Sequence, residues 1–253
     1  AITLTETEDV SESAMDKSFE VEVRDAISVL TVKRRERGLS LTDPGDMQRL
    51  WSILDGVSVR KQKVLLIIFD KDVFAPQRVD EAWSEIVRAD SSTRHGAPQI
   101  RALRSNLAKL IDYYQRSRVL TIGAFSGQFD LDLFGLLSMC NYRICTADST
   151  IENRTLDRPA PPGAATVWFL SRLVGFARAN AIYLDGQSLS AQEARDFMLV
   201  NDIARTDDLR SLSEKKAECF KSKSSLAWST RTVALNNAHL ALPGSLCAIV
   251  NGF

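Results

Sequence analysis

The sequence predicts an α/β fold, a sheet covered by helices with a helical C-terminal region after it. Three observations carry this. Val64–Phe69 is an unbroken apolar run between Lys63 and Asp70, as in a strand buried on both faces. Strand-like and helix-like segments alternate through the first half of the chain. From Trp168 onward the apolar spacing is mostly helical.

The elements follow in order. Ala26–Val32 (AISVLTV) reads as the first strand, followed by the basic run Lys33, Arg34, Arg35 and Arg37. Gly38–Asp46 carries turn and cap residues, ending in Thr42, Asp43, Pro44 and Gly45. Met47, Leu50, Trp51 and Leu54 repeat at helical spacing. After the Val64–Phe69 strand comes a short amphipathic helix, Val79–Val87. A polar loop, Ser91–Pro98, leads to a helical face over Ile100–Arg116. Val119–Ala124 is a strand, Leu133–Met139 a helix and Tyr142–Thr146 another strand. Pro159–Gly163 is a rigid loop leading into Trp168–Leu173. Helices are expected over Phe176–Tyr183, Ala191–Phe197 and from Leu209 to about Leu235. No internal repeat is evident.

Composition excludes several classes. Lys and Arg total 32, as do Asp and Glu, so no basic field favours nucleic acid. Near-zero net charge does little to keep protomers apart, which favours an oligomer. Four cysteines without a C-x-x-C pair, and two histidines, His95 and His239, argue against a metal site. Buried free thiols are the expectation. The longest apolar run is far too short to span a bilayer, so no membrane is expected. The opening stretch, AITLTETEDVSESAMDK, is polar and acid-rich without the pattern of a signal peptide. Residues 1–25 are therefore expected to be flexible and the address cytoplasmic.

Val119–Ile144 is the most informative stretch. It reads as strand, glycine turn, loop, helix and strand. Such a loop presents backbone N–H groups at a helix N-terminus, where they can hold a developing negative charge.

Residues 186–203 (GQSLSAQEARDFMLVNDI) carry the clearest family pattern, G-x-x-[IL]-x-A-x-E-A-x-x-x-G-L-V. Gly186, Leu189, Ala191, Glu193, Ala194, Leu199 and Val200 match it, while Met198 stands where glycine is usual. Ser190 is placed to cap a helix. Pro162–Gly163 with Phe169–Gly175, Asn141–Ile144 with Ala147–Asp148, Gly127, and Val64–Phe69 with Phe74 extend the pattern. Over roughly residues 26–235 the chain resembles the crotonase (enoyl-CoA hydratase/isomerase) superfamily. Asp132–Leu137, Tyr142–Ile144 and Ala165–Trp168 are weakly similar to the hydratase-like protein of dihydroxyphenylglycine biosynthesis.

The resemblance implies a spiral core of β-β-α turns over residues 26–185 and a helical oligomerisation region over 186–253. It implies a homotrimer or hexamer and an acyl-CoA or related thioester as substrate, with no further cofactor. Two backbone N–H groups, from the loops after the strands at Val64 and Val119, would stabilise a thioester enolate.

An ungapped count from Asn141 back to Gly127 puts the family's glycine cluster on Leu131, Asp132 and Leu133. Asp132 takes the position of the second donor. Its carboxylate is either a helix N-cap or an acid/base or orienting group. The first hydratase glutamate falls on Gly135 and the second on Thr155, with Asp157 and Glu152 nearby. The paired carboxylates of hydration are thus out of register. Asp157 is either a displaced carboxylate or a solvated acid paired with Arg154 or Arg158. In the first donor loop Arg78 takes the donor position and Pro76, which has no N–H, precedes it. Arg78, Arg34 and Arg35 are candidate coenzyme A ligands; the alternative is surface arginines. Gly127, Leu131, Gly135 and Trp168 complete the expected substrate site.

Two functions remain open. One is enolate-based dehydration or isomerisation of a thioester in specialised metabolism. The other is a catalytically degenerate binding or scaffold subunit for a partner enzyme.

Overall fold

The computed structural model describes residues 18–35, 43–59, 62–90, 117–157 and 166–223, with isolated helical residues at 105, 108–109, 112–113, 227 and 230. The loop with His95, most of the 100–116 helix, the Pro159–Gly163 loop and the chain beyond 223, apart from residues 227 and 230, lie outside these, as does His239.

A six-stranded sheet forms the centre. Its strands are β1 (Phe19–Arg24), β2 (Ile27–Val32), β3 (Val64–Phe69), β4 (Leu120–Phe125), β6 (Tyr142–Thr146) and β9 (Asp202–Ala204). They lie side by side in that order. β1 and β2 are antiparallel and all other pairs parallel. β1 lies inside the stretch expected to be flexible. Its apolar residues alternate with glutamates, only Phe19 is buried and Val21 is itself exposed, and a half-solvated edge strand of this kind carries little apolar signal.

β3 has the predicted limits, and every residue of β2 and β4 is buried. Alternation then sorts side chains to two faces. Leu30, Val32, Leu65, Phe69 and Phe125 pack under α1 (Pro44–Val59) and α2 (Pro76–Asp90). Val29, Leu66, Ile122 and Ile144 pack under the long C-terminal helix α7 (Leu209–Lys221) through Leu209 and Ala217. Each such buried aliphatic side chain contributes about 1.5–3 kcal/mol. Ion pairs rim α7, among them Lys216–Asp202 at 2.7 Å and Arg24–Glu214 at 3.4 Å.

A second sheet has three strands: β5 (Gln128–Asp130), β7 (Thr150–Glu152) and β8 (Leu189–Ser190). Between them come a 3-10 turn (Leu131–Leu133), α3 (Phe134–Ser138), a second 3-10 turn (Thr155–Asp157), α4 (Thr166–Val174) and α5 (Phe176–Asp185). Gly186 ends α5 in the left-handed conformation at φ 62°. Ser190 caps α6 (Ala191–Asp196) as expected, in a capping box with Glu193. Met198 adopts φ 60° in the turn after it, a conformation glycine enters without strain. That explains the glycine usual at this position. Cys140 and Cys145 are buried as expected, but Cys219 is exposed.

Arg143 ties this region together. It is buried, and its guanidinium donates to the carbonyls of Cys140 and Leu199, each at 2.7 Å. A cation just past the end of α3 also meets the negative end of that helix. We expect Arg143→Met to lose about 3 kcal/mol, since two buried carbonyls forfeit a charged donor. Urea unfolding checks this; a loss under about 1 kcal/mol would show that those carbonyls find other donors.

Candidate functional site

The site is built where the loop after β3 meets the loop after β4. Asp72, in the left-handed region at φ 57°, donates its N–H to Ser126 O. Its Oδ1 accepts from Gln128 N at 2.6 Å. Asp130 N donates to Phe74 O at 2.8 Å. The chain turns at Gly127, φ 73°, and runs through β5 into the 3-10 turn that starts α3.

The Asp132 N–H, carbonyl and carboxylate and the Gly135 N–H are all engaged within the protein. Asp130, fully buried, caps the turn: its Oδ1 accepts the N–H of Asp132 at 2.9 Å. The N-cap is therefore Asp130 and not Asp132, which corrects the capping alternative. The N–H that the sequence count offered to a substrate is directed at Asp130. The Asp132 carboxylate, also buried, accepts from Thr155 Oγ1 at 2.9 Å. Thr166 Oγ1 donates to Asp132 O and accepts from Gly135 N, both at 2.9 Å. Leu131 and Gly135 are buried in the same turn and helix. Counting residues had put Thr155 at the second glutamate position, and the structure makes it Asp132's hydrogen-bond donor.

The other candidates are placed differently. Pro76 opens α2, where its missing N–H is not needed. Arg78 lies in that first turn and donates its N–H to Ala75 O. Its guanidinium donates to Val73 O and to Arg35 O, the latter at 2.7 Å. Arg35 in turn pairs with Asp46 at 2.7 Å and Asp43 at 3.6 Å. Arg34 is exposed, with its backbone N–H on Asp70 Oδ2. Asp157 has an exposed side chain paired with Arg154 at 3.6 Å, and Arg154 also reaches Asp80 on α2. Trp168 is buried edge-on to Phe169, with the Arg172 guanidinium 3.7 Å from its ring centre.

Three residues went unmarked in the sequence. Asp130 was legible in principle, since an aspartate ahead of a turn commonly accepts the backbone N–H two residues on. Asn153 also accepts the N–H two residues on, that of Thr155, but its bond to Ile182 O and the position of Tyr183 are tertiary and no local pattern encodes them. Among the described residues no group of three metal-ligating side chains occurs. No described helix is long and apolar enough to cross a membrane. Burial pushes the thiols of Cys140 and Cys145 up to about 12, so neither is a nucleophile near neutrality. An apolar cavity of about 70 Å³ lies beneath the loops, bordered by Leu50, Leu54, Phe69, Phe74 and Leu136.

The parallel sheet and its paired loops define the class, an α/β protein of crotonase type. The family model Enoyl-CoA hydratase/isomerase matches residues 90–243. The chain is 32% identical over 111 residues to a short-chain-enoyl-CoA hydratase of Clostridioides difficile, covering 44% of this chain and 71% of that protein. The chain belongs to the enoyl-CoA hydratase/isomerase family. Its fold is similar to the crystal structure of enoyl-CoA hydratase from Bacillus halodurans, with TM-score 0.77, 16% identity and 92% of each chain covered. It is also similar to Pseudomonas aeruginosa DspI, with TM-score 0.75 and 15% identity over 94% of this chain and 93% of that one.

Proposed function

We propose that this chain is an acyl-thioester-binding member of its family that does not hydrate enoyl thioesters and serves as a binding subunit for a partner enzyme. One observation carries the reading: the Asp132 N–H, at the oxyanion position, is satisfied by the buried Asp130 carboxylate. An oxyanion site works through donors held ready for charge that develops on the substrate. Here that donor is spent on a fixed internal anion. Gly135 and Thr155 at the two glutamate positions supply no carboxyl pair for adding water. Leu156, Val167, Phe176 and Leu184 expose apolar side chains on the second 3-10 turn, α4 and α5, a surface suited to subunit association. A trimer or hexamer of this chain, with the partner enzyme bound to it, would cover it.

The enzyme reading has its own support. The buried Asp132 carboxylate with its Thr155 donor could act as a base on a thioester in dehydration or isomerisation. Incubation with crotonyl-CoA separates the readings. We expect no loss of the enoyl absorbance. Acetyl-CoA, at about a hundredfold its Kd, should still raise the melting temperature by about 5–10 °C. Hydration, or a shifted double bond, would overturn the binding-subunit reading in favour of an enzyme. An unmoved melting temperature would remove the thioester as ligand.

A further inference from the structure

Tyr183 lies on α5, a helix that the site holds in register by an unbroken chain of hydrogen bonds. Asp132 Oδ1 accepts from Thr155 Oγ1. Thr155 N donates to Asn153 Oδ1 at 3.3 Å, and Asn153 Nδ2 donates to Ile182 O at 2.6 Å. Asn153 is itself buried, so the chain runs shielded from water between the carboxylate and the residue before Tyr183.

The Tyr183 ring packs against the main core, and its hydroxyl is shut off from solvent. That hydroxyl has no hydrogen-bond partner among the described residues. A buried donor left unsatisfied costs about 1–3 kcal/mol. Such groups are rare in folded proteins, and one beside a candidate site fits a partner that arrives with a ligand. Burial first, and then the charge of Asp132, push the phenol above its ordinary pKa. It therefore stays protonated near neutrality and keeps its O–H as a donor for a neutral acceptor.

We propose that Tyr183 Oη is the hydrogen-bond donor to the carbonyl oxygen of a bound acyl thioester, replacing the Asp132 backbone donor that is engaged within the protein. The inference rests on the reading that this chain binds acyl thioesters. It assigns Tyr183 a binding role and leaves Asp132 and Thr155 to position it. The recognised feature is a carbonyl oxygen, so free coenzyme A, which lacks one, would not use this contact.

The test is calorimetric titration of wild-type protein and Tyr183→Phe with acetyl-CoA and with free coenzyme A, beside a thermal melt of both. We expect the variant to bind acetyl-CoA about tenfold more weakly, the share of one buried hydrogen bond. Its affinity for free coenzyme A should be unchanged. Its melting temperature should be equal or higher, because an unpartnered hydroxyl is removed. Equal acetyl-CoA affinity in both proteins would overturn the role of Tyr183 and leave the thioester reading standing. No acetyl-CoA binding by wild-type protein would overturn both. A lowered melting temperature in the variant would mean that the hydroxyl already has a partner inside the protein, and the inference would fail on that ground alone.

Discussion

Phe129→Ala should lower the unfolding free energy by about 3–5 kcal/mol, the range for truncating a fully buried aromatic residue. Phe129 is the middle residue of β5 and 1% exposed. Its ring stands edge-on to four others. Phe125 is at 5.1 Å, Phe74 at 5.4 Å, Phe69 at 5.8 Å and Phe134 at 6.2 Å between ring centres. Those rings come from β4, the loop after β3, β3 itself and α3. One side chain thus fills the space between both site loops, the central sheet and the helix at the site. Truncation removes the apolar area and leaves a cavity that the sheet cannot collapse into, because β3 and β4 are fixed by parallel pairing. Each lost edge-to-face contact adds to the effect. Denaturant unfolding at constant slope measures it. A loss under about 1.5 kcal/mol would show that the neighbouring rings close the gap. Phe129→Leu, which keeps most of the volume, should lose less than half as much.

How much of this was legible follows from element length and contact range. β3 was readable to the residue because six consecutive apolar residues lie between two charges, a run of strand length and too short for a typical helix. β5, β7, β8 and β9 span two or three residues each, too few for period-2 alternation to register. Ser190 and Gly186 announced their helix ends because capping is a local bond. The site divides the same way. Loop length and flanks led to the expectation of Asp132 at the donor position and Thr155 at that of the second glutamate. Which group Asp132's N–H would meet depended on Asp130 being buried and turned inward, a consequence of Asp130 N bonding to Phe74 O on another loop. The basic residues show the converse. Arg35 and Arg78 are cationic enough to suggest phosphate ligands, yet the fold spends them on Asp46 and on backbone carbonyls.

Gly127→Ala should cost about 3 kcal/mol and act on the site as well as on stability. Two independent terms add. At φ 73° an L side chain meets the left-handed penalty of about 1–2 kcal/mol. The added Cβ would also lie 2.2 Å from Asp72 Oδ1 and 2.9 Å from its Cγ. A free carboxylate would swing aside at little cost. This one accepts the Gln128 N–H at 2.6 Å, and its own backbone is held left-handed while its N–H bonds Ser126 O. Moving it therefore breaks one of the bonds that join the two loops, and overpacking of this kind costs about 1–3 kcal/mol. Gly127 O also accepts from Thr150 N, so β7 feels the shift. Urea unfolding should report the loss, and hydrogen exchange should show the Gln128 amide deprotected ahead of β4. In an Asp72→Gly background the same substitution should cost only its left-handed share, about 1–2 kcal/mol. An undiminished cost there would place the strain at Gly127's own backbone and release the two loops from the coupling argued for them.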